Sequence, residues 1–196
     1  MKKICIIVAL STLIACLSAA AYVFAESKTV LASGGVDVED VFSLEFYTDD
    51  PNILYTTAVP FTQMDPTKTF VQSDGREADS GKSDIGLLCK TNLAVAWYLK
   101  IKGSTGSLIS VGEIKYGLWQ PWNRTLNQSA DGVISEGAGW HAMPTASTTV
   151  YTSGINDNNN LPYGTLFTFD FAINPSRLDP TAAHFCTIQY TFTTTP

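Results

Sequence analysis

One stretch limits the fold more than any other: Asn92–Lys102, Asn-Leu-Ala-Val-Ala-Trp-Tyr-Leu-Lys-Ile-Lys. Leu93, Val95, Trp97, Leu99 and Ile101 alternate with Asn92, Ala94, Ala96, Tyr98, Lys100 and Lys102. A period of two predicts a strand with one face in a core and the other toward water. Near the C-terminus, Cys186, Ile188, Tyr190 and Phe192 alternate in the same way with Thr187, Gln189, Thr191 and Thr193. Between them, Phe167, Phe169, Phe171 and Ile173 mark one face of a strand over Thr165–Ile173, and Ile85, Leu87 and Cys89 mark one over Asp84–Lys90.

Weaker strands are predicted over Val41–Tyr47, with Phe42, Leu44 and Phe46 inward, and over Ile53–Phe61, Thr69–Gln72 and Thr148–Thr152. Lys90-Thr91-Asn92 reads as a tight reversal joining the Cys89 and Trp97 strands in a hairpin. Ser73–Ser83 and Ser153–Gly164 contain few large apolar residues and read as polar surface loops. Gln120–Ser147 has little periodicity and reads as a long excursion with short strands. No segment after residue 40 sustains a 3.6-residue period. Many strands joined by Gly, Pro and Asn turns predict an all-β fold, a single-domain antiparallel β-sandwich over 41–196, rather than a barrel.

The N-terminus reads as an export signal over residues 1–25. Lys2 and Lys3 precede a run from Ile4 to Ala25 without charge, and Val23-Phe24-Ala25 suits a signal peptidase. This implies a secreted or cell-surface protein and a flexible N-terminal segment over 26–40. Two alternatives for the apolar run stay open. It is long enough for a retained membrane anchor, and Leu13-Ile14-Ala15-Cys16 resembles a lipobox in which Cys16 would be lipidated.

The chain carries 18 acidic against 12 basic residues, a net charge of −6. That balance argues against nucleic acid as a partner. Cys5 and Cys16 would leave with the signal. Cys89 and Cys186 remain as a pair, and in an exported chain a disulfide between them is the default expectation. Closing so long a loop would stabilise by ~4–5 kcal/mol in the chain-entropy model.

Catalytic patterns are sparse. The two histidines, His141 and His184, sit in no triad motif. Glu113 and Glu136 lie near aromatics and are the only carboxylates offered here for a facing glycosidase pair. Asp74, Glu77, Asp79 and Asp84 lack the spacing of a calcium loop. No phosphate loop or dinucleotide fingerprint occurs, so the reading is a non-enzymatic protein without cofactor or metal. Tyr116, Trp119, Trp122 and Trp140 cluster in the least regular region. A solvent-facing row of such rings could stack on sugars, whereas buried rings would plug the end of the sandwich. The usual burial of large aromatics favours the plug.

Cys89, Trp97 and Cys186 do not have immunoglobulin spacing. Trp97-Tyr98-Leu99 does resemble the first motif copy of the WxL domain of Gram-positive bacterial cell-surface proteins. The closing stretch Thr187–Pro196 resembles the second copy, with Tyr190 in place of Trp and Phe192 in place of Leu. The resemblance implies non-covalent attachment to cell-wall polysaccharide or to other surface proteins, without catalysis. Two further readings accompany it: a pilus or filament subunit that self-assembles by strand exchange, and a carbohydrate-binding module using Trp119, Trp122 and Trp140.

Overall fold

The computed structural model describes residues 29–31, 37–39, 41–61, 67, 70–73, 82–178, 182 and 184–196. The export signal, the lipobox and most of the Ser73–Ser83 loop lie outside these residues. The chain divides into two units, 1–40 and 41–196. In the first, β1 (Thr29–Leu31) pairs antiparallel with β2 (Asp37–Glu39) in a sheet of their own, where the composition predicts a flexible lead-in.

The second unit is a β-sandwich of two sheets. Strands follow in order as β3 (Phe42–Tyr47), β4 (Ile53–Tyr55), β5 (Val71–Gln72), β6 (Ser83–Thr91) and β7 (Tyr98–Thr105). A short helix α1 (Ser107–Val111) precedes β8 (Ile114–Leu118), β9 (Trp122–Asn123), β10 (Gln128–Ser129), β11 (Val133–Ile134) and β12 (Gly139–Ala142). The chain ends with β13 (Thr148–Thr152), β14 (Thr165–Ile173) and β15 (Thr187–Thr193). The large sheet has nine strands along a β10-β9-β14-β6-β3 path, with β8 and β5 also on β14, β12 on β8, and β4 on β6. The small sheet has four, in the order β11-β13-β7-β15. All pairings are antiparallel except β4 with β6.

Strand β14 is the spine of the large sheet because it pairs along both edges, with β6 and β5 on one side and β8 and β9 on the other. Its inward residues Phe167, Phe169 and Phe171 meet Ile85, Leu87 and Cys89 of β6 and Tyr116 and Leu118 of β8. The small sheet answers with Leu99 and Ile101 of β7, Val150 and Tyr151 of β13, and Ile188, Tyr190 and Phe192 of β15. Cross-strand neighbours share a face, so the pairings Leu99↔Phe192 and Ile101↔Tyr190 bring the two alternating stretches together as adjacent strands.

Several expectations are corrected. The Trp97 strand begins only at Tyr98. Residues 92–97 instead carry the chain from one sheet to the other, because β6 pairs with β3, β4 and β14 while β7 pairs with β13 and β15. The predicted β6–β7 hairpin is therefore an arch, and Val95 on it is 52% exposed rather than in the core. Phe42 and Phe46 are inward but half-exposed, because β3 is an edge strand. Phe42 stacks on Phe192 at 3.9 Å and Phe46 meets Tyr190 edge-on at 6.4 Å.

One end of the core is polar. The last inward positions of β6, β14 and β9 are Thr91, Thr165 and Asn123, all fully buried. The loop 153–164 folds down onto them. Asn160 accepts from Thr91 N at 2.8 Å and donates to Cys89 O and Thr165 Oγ1, each at 2.9 Å. The Asp157 carboxylate accepts from Asn123 Nδ2 at 2.8 Å, from the Tyr151 hydroxyl and from Gly132 N. Trp97 Nε1 donates to Asp157 O at 2.9 Å. The polar composition of 153–164 predicts a solvated loop, yet Asp157 and Asn160 have no exposed surface. Ser73, from the other predicted surface loop, is likewise buried and donates to the buried Asp84 of β6.

Candidate functional site

The alternation that buries Ile114, Tyr116 and Leu118 turns Lys115 and Gly117 of β8 to the outer face of the large sheet. Gly117 pairs with Trp140 of β12. A Cβ at Gly117 would collide with the Trp119 ring and crowd that of Trp140, so only glycine lets Trp119 lie on the sheet here. Trp119 and Trp140 meet edge-on, with centroids 5.6 Å apart. Trp122 of β9 pairs with Leu166 of β14, which puts it on the same face. Its register partner Leu166 lies four residues from Asp170, the partner of Gly117, and that corresponds to about 13 Å along the strand.

Trp122 is 44% exposed. It lines an open depression of about 480 Å³ with Tyr47, Asp49, Asp50, Arg124 and Leu166. The Arg124 guanidinium sits 4.5 Å above the Tyr47 ring, a cation–π arrangement that holds its donors at the rim. Asp50 is anchored by accepting from Asn52 N at 2.8 Å. The depression thus combines a flat aromatic face with fixed donors and acceptors.

The four aromatic candidates separate. Trp119, Trp122 and Trp140 share the outer face, so the expected plug does not describe them. Tyr116 faces inward, is 3% exposed and packs on Phe169. Burial, and then the nearby Glu136 charge, push its phenol up to about 12. It cannot stack on a ligand at the surface.

The four motif residues Trp97, Leu99, Tyr190 and Phe192 all belong to the core, and Trp97 meets Phe192 edge-on at 5.0 Å. Trp97 and Leu99 are fully buried, and Tyr190 and Phe192 pack against them partly buried.

The expected disulfide is absent: Cys89 and Cys186 are free thiols. The register across the sandwich explains this. Phe42 pairs with Thr91 and Phe46 with Leu87, and their rings meet Phe192 and Tyr190. The part of β15 that faces the Cys89 end of β6 is therefore Tyr190–Phe192, and Cys186 lies about 13–20 Å further back along an extended chain. Cys186 packs instead beside Leu108, Ile114 and Ile173.

Glu113 and Glu136 are held by different partners. Glu113 precedes β8, where Arg177 meets it at 3.1 Å. Glu136 lies just before Gly139, which pairs with Leu118 at the far end of β8. Glu136 bridges His141 Nδ1 at 3.0 Å, and His141 Nε2 lies 3.0 Å from Gly137 O. Among the described residues no group of three or more His, Cys, Asp or Glu could hold a metal ion.

Sequence reasoning missed Tyr47, Asp49, Asp50 and Arg124. No local pattern marks them. They converge only because β3 and β9 flank the β6–β14 ladder from opposite sides.

Comparison with known proteins returned no matching family model, no curated relative and no solved structure.

Proposed function

We propose that this is a non-catalytic surface domain that holds cell-envelope polysaccharide on the outer face of its large sheet. The observation that carries the reading is the half-exposed Trp122 ring beside the Arg124, Asp49 and Asp50 side chains. A pyranose ring has an apolar face that suits an indole, while its hydroxyls need donors and acceptors around the rim. The charged groups supply these as charge-assisted hydrogen bonds. Trp119 and Trp140, about 13 Å away, would engage a later ring of the same chain. Such a grip needs no general acid or base.

Strand exchange has less support as the founding activity, because β3 and β15 both pair within their own chain.

Co-sedimentation of the purified protein with cell wall tests the proposal. The wild type is expected to sediment with wall at moderate salt. Trp122→Ala is expected to weaken binding about tenfold, which corresponds to the loss of ~1.4 kcal/mol, with the circular dichroism spectrum unchanged. Equal sedimentation of the two proteins, or none by the wild type, would overturn it.

A further inference from the structure

Strand β15 is the outermost strand of the small sheet. It pairs with β7 along one edge, and no strand lies against its other edge among the described residues. Natural edge strands are guarded by charge, proline, a bulge or brevity. Thr-Ile-Gln-Tyr-Thr-Phe-Thr runs for seven residues without a charge or a proline. The neighbouring edge β3 is guarded differently, by Glu45 held to Lys90 at 3.0 Å. Beside β15 the sandwich opens into a cavity of about 460 Å³ lined by Phe46, Val59, Phe61, Ile188 and Tyr190. Phe42 and Phe46, which touch Phe192 and Tyr190, are 38% and 46% exposed along this side.

The strand is also palindromic in polarity about Tyr190. An antiparallel copy in full register would place Ile188 opposite Phe192 of the partner subunit and Tyr190 opposite Tyr190 of the partner subunit. On the outer face Gln189 would meet Thr191 of the partner subunit, and Thr187 would meet Thr193 of the partner subunit. Apolar would meet apolar, hydroxyl would meet hydroxyl or amide, and no like charges would oppose.

We propose that two copies of this chain pair through β15, antiparallel about a two-fold axis at Tyr190, so that their small sheets become one continuous sheet. The arrangement is isologous, so it closes as a dimer and consumes both open edges. The partner strand also closes over Phe42 and Phe46. The inference stands apart from the glycan reading, since the outer face of the large sheet takes no part in it.

Sedimentation velocity of the purified chain over a range of concentrations, with two paired variants, tests it. The wild type is expected to show a concentration-dependent monomer–dimer equilibrium. Gln189→Lys with Thr191→Lys places like charges opposite each other at two symmetric points, and is expected to raise the dissociation constant at least tenfold. Gln189→Glu with Thr191→Lys places opposite charges there, and is expected to retain the dimer and make it salt-sensitive. Both positions lie on the outer face, and circular dichroism reports whether each variant folds. A wild type that stays monomeric at millimolar concentration, an open-ended series of oligomers, or equal weakening by the two folded variants would overturn the proposal.

Discussion

Strand β14 and two side chains of the loop that leads into it are buried to the same depth by opposite chemistry. Phe167 and Phe169 have no exposed surface, and neither do Asp157 and Asn160. The strand is buried because three phenylalanines on one face leave water together. Asp157 and Asn160 of the loop are buried because each polar group they bring inside finds a partner there. Asn160 completes the backbone bonding of Thr91 and Cys89 at the end of β6, and the Asp157 carboxylate gathers three donors. Depth inside this protein is therefore set by satisfaction as much as by hydrophobicity, and the two regions should fail differently.

Trp97 joins the two regions, so its loss should have the largest effect. Its ring meets Tyr151, Phe167 and Phe192, with centroids 5.5, 6.1 and 5.0 Å away. Its Nε1 supplies the donor to Asp157 O. Trp97→Ala is expected to cost ~3–5 kcal/mol, the usual range for emptying a large aromatic site. Tyr98→Ala, one position on and facing outward, should cost far less. Urea unfolding of the two variants checks this, and equal costs would refute the face assignment of β7.

Asp157→Ala probes the polar region alone. It removes the acceptor of the Tyr151 hydroxyl and one of the two acceptors of Asn123 Nδ2 and of Gly132 N, which keep Asn156 O and the Tyr151 oxygen, and is expected to cost ~1.5–3 kcal/mol. Asn159→Ala, two positions away in the same asparagine run but exposed, should stay within ~0.5 kcal/mol. If the two variants had the same urea midpoint, the loop would be a passive cover and the comparison would collapse.

The same contrast explains what the sequence discloses. Strands β6, β14 and β15 are legible because alternation is a local signal, and it places Ile85, Phe167, Phe169 and Tyr190 correctly. Val95 continues the alternation of Trp97 but sits on the arch, since nothing local marks where a strand leaves its sheet. Asp157 lies within Asn-Asp-Asn-Asn-Asn, a composition that reads as solvated. Its burial depends on Asn123, Tyr151 and Gly132, which only the tertiary fold assembles. The outer face is half legible. Trp119, Trp122 and Trp140 are visible as a cluster, but their orientation is set by Gly117 and by the register of β9 on β14. Compartment and parity are what suggest a tie between Cys89 and Cys186, and neither carries information about register.

The cysteines give the mildest test, because they sample the apolar region without disturbing it. Cys89 is fully buried, and burial pushes its thiol well above the usual range. Cys186 is partly exposed and is raised by the same cause. The thiolate is the reactive form, so iodoacetamide at pH 8 should leave Cys89 of the native protein unmodified and label Cys186 slowly. Both should react fully in denaturant. The sign of the linked pH effect follows from the raised value. The unfolded chain ionises its thiol first, near ~8.5, so stability is intact below that pH and falls as pH climbs above it. Tyr116 extends the decline from the ordinary phenol range near ~10 to about 12. The urea midpoint should therefore be level from pH 6 to 8 and drop through pH 9 to 11. A native protein with no thiol to alkylate even when unfolded, and two mass units lighter than the reduced chain, would restore the disulfide and require β15 to slide toward Cys89.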